Sequence, residues 1–246
     1  MCPSLPFWCG VDRLETDPAL ASGLATFLQK EWVPNGCLVL PSPNPNSTRP
    51  VKLLGYVTYP LVVGQHSPTL QQRHTLLLRS ASHLAAFRTH APGFAALERA
   101  VLHHLGAVAQ DGVAFMLSSA HVLLQSPETL GSTVFTEHQD TENDPRVTDT
   151  VVIKLTADTD GEPASAMRVV GARGQFEYAP AAGSAAVFNA RLWHISVRPA
   201  SQRPHIKLTL FCKPIPGSAK KRERDMAYSL SPSEQERLSA FRVRRG

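Results

Sequence analysis

The sequence has little of what would place it in a membrane or outside the cell. No apolar run approaches the roughly 20 residues that cross a bilayer, so no membrane-spanning helix is expected. The opening, MCPSLPFWCG, has no basic stretch ahead of an apolar one, and no secretory signal is legible. Only four cysteines occur (Cys2, Cys9, Cys37 and Cys212), with no CxxC pair among them. Neither a structural zinc site nor a disulfide framework can be read from that spacing. A reducing compartment, cytoplasmic or nuclear, is the expectation. Charged residues are sparse at 18%, but the 43% hydrophobic share is enough for a core and excludes global disorder. At 246 residues the chain is one ordinary domain, or one with a modest addition.

What charge there is lies unevenly. Residues 1–212 hold 16 Lys and Arg against 16 Asp and Glu, while residues 213–246 hold 9 against 4. The whole net charge of +5 therefore sits in the last stretch, as a basic tail that attracts polyanions through counter-ion release. Residues 51–110 carry five bases, one acid (Glu98) and six of the ten histidines; residues 111–164 carry ten acids and two bases.

The hydrophobic pattern changes along the chain. Asp17 and Pro18 open a helical segment, ALASGLATFLQKEW. The proline-rich stretch 41–50 is a surface loop, and 51–63 reads as strand. Residues 80–90 and 92–110 read as helices, the second with Phe94, Leu97, Val101, Leu105 and Val108 on one stripe. From Val113 the period shortens. Strands are predicted near 113–125, 133–139, 149–157, 166–171, 174–178, 184–189, 193–197 and 205–212, with turn residues between several of them. About eight short strands in roughly 100 residues suggest a jelly roll or small barrel. The predicted organisation is an α+β fold. An N-terminal helical and strand extension (1–112) supports a jelly-roll core (113–213), followed by a basic linker (214–246). That linker ends in a short helix, capped by Ser231, Pro232 and Glu234.

Within the strand-rich region lies TEHQDTEND. His138 and Asp140 are two apart on a predicted strand end, so their side chains share a face. His194, in RLWHISV, follows 54 residues after Asp140, and the strands of a jelly roll fold that span back on itself. Two histidines and one carboxylate form the facial triad that holds non-haem Fe(II) and leaves positions open for oxygen and a co-substrate. On the strand 205–212, His205, Lys207, Thr209 and Phe211 share one face, and Ile206, Leu208 and Leu210 the other. A lysine between apolar neighbours needs a counter-ion inside the barrel.

His138, Asp140, His194 and Lys207, in that order and at those distances, resemble the Fe(II)- and 2-oxoglutarate-dependent dioxygenases. The resemblance covers roughly residues 113–213. It implies a double-stranded β-helix, Fe(II) held by His138, Asp140 and His194, and 2-oxoglutarate and O2 as co-substrates. A basic residue 9 to 17 positions after the second histidine binds the distal carboxylate in that family. Lys207 is preferred, assisted by Thr209. Arg203, nine residues after His194 as in prolyl hydroxylases, is the alternative and lies in a turn before Pro204.

The implied substrate is a nucleobase in DNA or RNA. The run HQDTEN is similar to the corresponding segments of AlkB and TET/JBP relatives, which puts Glu142 and Asn143 at substrate-contacting positions. The basic tail and residues 51–110 fit a nucleic-acid partner. The Asn-x-Tyr of AlkB relatives is missing; MLSSAHVLLQ stands there, offering His121 or Gln125. Phe135, Tyr56 and Tyr59 are candidate stacking rings, whereas Trp193 is expected in the core. The alternatives are a prolyl-type protein hydroxylase, favoured by the Arg203 spacing, and a non-catalytic jelly-roll binding protein.

Overall fold

A computed structural model describes residues 11–61, 69–109, 113–125, 138–142, 144–161, 165–169, 175–197 and 203–216. Helix α1 (Pro18–Glu31) begins where the sequence says: the Asp17 carboxylate accepts from the Ala19 amide at 2.8 Å, with proline in the first turn. Helices α2 (Ala81–His90) and α3 (Phe94–Val108) follow the two predicted segments. On α3, Phe94, Leu97, Val101 and Leu105 are buried, but Val108 is 45% exposed. The helix ends at that residue, so the stripe leaves the core one turn early.

The first part of the chain holds more strand than its sequence pattern announces. β1 (Asp12–Glu15), β2 (Cys37–Leu40), β3 (Val51–Leu54), β4 (Tyr56–Leu61) and β5 (Thr69–Leu78) precede α2. The predicted strand 51–63 is thus two strands that join different sheets, parted at Gly55. A side chain at Gly55 would collide with the Trp32 indole nitrogen and the Gly36 carbonyl. Glycine is required for that close approach. Gly55 N–H donates to Gly36 and its carbonyl accepts from Thr75, tying β2, β3 and β5 together.

The later strands are β6 (Phe115–Gln125), β7 (Asp149–Lys154), β8 (Ala166–Val169), β9 (Gln175–Glu177), β10 (Ser184–Asn189), β11 (His194–Val197) and β12 (His205–Pro214). They match the predicted segments to within a few residues. One sheet has the order β1-β10-β7-β12-β6-β5-β4 and a second β11-β8-β9, every pairing antiparallel. In chain order the strands pass from large sheet to small and back: β7 large, β8 and β9 small, β10 large, β11 small, β12 large. This alternation is the double-stranded β-helix, or jelly roll.

The large sheet has two unlike faces, set by strand alternation. Ile206, Leu208 and Leu210 of β12, with Val151 and Ile153 of β7, pack toward the helices in the main core, where Leu24, Leu28, Phe87 and Leu97 lie. The opposite face looks into the lumen between the sheets. There Val152, Ala186 and Phe188 meet Met167 and Val169 of the small sheet and Tyr178. Lys207, Thr209 and Phe211 share this lumen face, as the sequence predicts.

The predicted strand 133–139 up to Glu137, Phe135, Asn143, and the tail from 217 with its capping box lie outside the described residues. So do the side chains of Glu142, Tyr56, Tyr59 and Arg73.

Candidate metal centre

Asp140 opens a short 3-10 turn (Asp140–Glu142) rather than ending a strand. His138 is nevertheless held in sheet geometry: its N–H donates to the His194 carbonyl at 3.1 Å, and the His194 N–H donates back at 3.0 Å. The Asp140 N–H donates to the Ala190 carbonyl at 2.9 Å. Three backbone bonds therefore carry His138 and Asp140 across to the chain around His194. One atom from each side chain lies within 4.8 Å of the others. His138 Nε2 is 3.6 Å from Asp140 Oδ1, and His194 Nε2 is 3.4 Å from Asp140 Oδ2. The two imidazole centres are 4.4 Å apart.

The surroundings prepare these atoms for a cation. The Thr150 hydroxyl, fully buried on β7, donates to Asp140 Oδ2 at 2.8 Å and fixes the carboxylate. His194 Nδ1 lies 3.0 Å from the Leu192 carbonyl. A carbonyl can only accept, so Nδ1 carries the proton and Nε2 presents its lone pair. Burial pushes the His194 pKa below its ordinary value, against the pull of Asp140, which favours the neutral ring that a metal needs. Phe188 flanks His194, with ring centres 4.6 Å apart.

The other predicted residues separate. Lys207 is 1% exposed, and its ammonium has no hydrogen-bond partner among the described residues. It stands 5.2 Å from the Tyr178 ring centre, and the buried Tyr178 hydroxyl is equally without a partner there. Burial pulls the Lys207 pKa down to about 8, Asp158 opposing this and Lys154 adding to it. Arg203 is exposed, and Thr209 is half-buried on the lumen face between Phe211 and Lys207. Across the β7–β12 ladder Phe211 faces Thr150, Thr209 faces Val152, and Lys207 faces Lys154. The Thr150 that holds Asp140 and the unpaired ammonium thus mark two ends of one lumen stripe. Trp193 is half-buried rather than in the core.

Beside Asp140 opens a cavity of about 460 Å³. His121 lines it and stacks edge-on against Phe211 at 4.7 Å. Burial, then the charges of Arg79 and His138, push the His121 pKa down to about 3, so the ring is neutral. Sequence reasoning had His121 in view but missed Thr150, Tyr178 and the charged cavity wall of Arg79, Asp144, Arg146 and Lys213. Thr150 had one legible mark: it is polar within the apolar alternation TVVIK, one position out of phase with the helix-facing residues.

No protein-family model matches the chain, and no curated protein is similar to it at a significant level. Among solved structures, a Pseudomonas putida prolyl-4-hydroxylase is 16% identical, covering 83% of this chain and 92% of that one, with a TM-score of 0.48. A viral collagen prolyl hydroxylase from Paramecium bursaria Chlorella virus-1 is 10% identical over 83% and 96%, with a TM-score of 0.49. An oxidoreductase of the 2OG-Fe(II) oxygenase family from Burkholderia pseudomallei is 16% identical over 77% and 89%, at 0.41.

Proposed function

We propose that this chain is an Fe(II)- and 2-oxoglutarate-dependent oxygenase that hydroxylates a C–H bond. The observation that carries the reading is a converged His138–Asp140–His194 set at one end of a lumen and a buried ammonium, Lys207, unpaired among the described residues, farther along the same face.

The residues fit both groups. Two imidazoles and one carboxylate, with ligand atoms already within 4.8 Å of one another, suit a divalent iron and leave coordination positions free. An ammonium and a phenol hydroxyl buried without acceptors are costly unless something fills the gap. The distal carboxylate of 2-oxoglutarate is such an acceptor, paired by Lys207 with Tyr178 beside it. When bound, iron and 2-oxoglutarate supply the oxidation: with O2 the co-substrate becomes succinate and CO2, and the substrate C–H becomes C–OH. The chain's own part is positional. Thr150 fixes Asp140, Leu192 fixes the His194 tautomer, and Val152, Met167, Ala186 and Phe188 keep that stretch of the lumen dry.

The described residues lend no support to a nucleobase substrate. The described side chains of the cavity wall include two rings, His121 and Phe211, already packed on each other. Arg88, one of the five bases in 51–110, is committed to Glu98 through two bonds of 2.7 and 2.6 Å. Nucleic-acid and prolyl substrates therefore stand as arms of a screen. An anaerobic Fe(II) titration tests the centre itself: one equivalent should bind, and Asp140→Ala should remove it with the unfolding midpoint retained. Equal iron binding by the variant would defeat the assignment.

A further inference from the structure

The cavity beside Asp140 holds a surplus of positive charge. Among the described residues, and outside the triad, its charged wall is Arg79, Arg146 and Lys213 against one acid, Asp144. That acid is already shared. Arg146 takes its two oxygens at 2.9 and 3.1 Å, Lys213 stands 3.5 Å from Oδ2, and Ser118 donates at 2.8 Å. Arg79, exposed at the end of β5, has no ion pair among the described residues, although its charge is felt at His121 within the cavity. One acid cannot balance three bases, so among the described residues two positive charges remain.

Those charges are not absorbed by the reaction centre. On the proposed function, on which this inference rests, Fe(II), Asp140, the two carboxylates of 2-oxoglutarate and Lys207 cancel among themselves. The surplus at the cavity wall is left for what enters the cavity. A guanidinium with an uncommitted fork is suited to a planar carboxylate or a phosphate. The volume suits a small molecule or a single side chain.

We propose that this cavity selects a compact substrate bearing a carboxylate or phosphate group, anchored by Arg79, with Arg146 and Lys213 completing a positive wall. His121, packed edge-on against Phe211, lines the same cavity beside Asp140.

The test is calorimetric titration of the whole chain with N-acetylaspartate, its neutral isostere N-acetylasparagine, and inorganic phosphate. The wild type is compared with Arg79→Gln and Lys207→Met, and 2-oxoglutarate is titrated in parallel. At least one anion should bind about tenfold or more tighter than N-acetylasparagine, and Arg79→Gln should weaken it by about tenfold or more. Lys207→Met should leave it unchanged. N-acetylaspartate against phosphate identifies the preferred oxyanion. The proposal is overturned if neither anion binds at about 10 mM, if the amide binds as well as the acid, or if Arg79→Gln has no effect. Loss of the anion in Lys207→Met alone would place it in the co-substrate site and overturn the proposal too. A short oligothymidylate that binds through Arg79 when neither compact anion does would replace the compact substrate with nucleic acid. Failure of 2-oxoglutarate itself to bind would instead count against the oxygenase reading.

Discussion

Lys154 and Lys207 face each other across adjacent strands, both buried, and among the described residues only Lys154 has an acid in hydrogen-bond contact. Lys154 Nζ donates to Asp158 at 2.7 Å and to the Pro180 carbonyl at 2.8 Å. Lys207 has the Tyr178 ring and no acceptor among the described residues. Lys154 is held by a structural ion pair, and Lys207 has no such partner among the described residues.

The first prediction follows from that contrast. Lys207→Met should stabilise the ligand-free protein, since it removes a buried charge without a counter-ion. A pKa near 8 against an ordinary 10.5 sets the gain at roughly 1–3 kcal/mol near neutral pH. The same variant should weaken 2-oxoglutarate binding by about 100-fold. Urea unfolding and calorimetry measure the two effects, and a destabilised variant would show that Lys207 is already satisfied.

Removing one partner of the other pair should act in the opposite sense. Asp158→Asn leaves the Lys154 ammonium buried without its charge partner and should cost about 3–5 kcal/mol. Urea unfolding checks this, and a cost under 1 kcal/mol would mean that the Pro180 carbonyl alone satisfies Lys154.

The pH dependence has a definite sign. In the folded state Lys207 loses its proton near pH 8, but in the unfolded chain only near 10.5. Between those values the unfolded state binds more protons, so this residue's contribution to stability rises with pH there. Co-substrate affinity runs the other way. A carboxylate needs the charged ammonium, so binding above pH 8 must take up a proton, and affinity should fall by up to about tenfold per pH unit. Titrations at pH 7, 8 and 9 measure it; a flat profile would remove Lys207 from the co-substrate site.

Thr150→Val should leave the fold stable while loosening Asp140. Partners that orient a metal ligand are worth about 10–100-fold in metal affinity. Anaerobic Fe(II) titration of this variant should show a loss in that range, and unchanged affinity would make the Thr150 hydrogen bond incidental.

The centre was more legible in the sequence than its surroundings. The structure brings His138, Asp140 and His194 together as their spacing predicts, and strand alternation places Lys207 on the lumen face. Asp140 sits in a 3-10 turn, yet the expectation that it joins His138 held because backbone bonds to Ala190 and His194 set its position. The strands β1, β2 and β5 were not read. β1 pairs with the distant β10, and β5 with β6 across the intervening helices α2 and α3, while β2 pairs with β3 across the proline-rich loop. Local alternation in Asp12–Glu15 is too short to announce that. The charged cavity wall was equally hidden, since Arg79, Asp144, Arg146 and Lys213 come from separate segments and read singly as surface charge.

The most direct test of the whole account is succinate release from 2-oxoglutarate under air, with Fe(II) supplied and withheld. Succinate and CO2 should form in equal amounts, only with iron and O2, and be lost in Asp140→Ala and His194→Ala. Tight binding of iron and 2-oxoglutarate with no succinate formed, across acidic small molecules, peptides and oligonucleotides, would contradict it and leave a jelly roll that binds without catalysing.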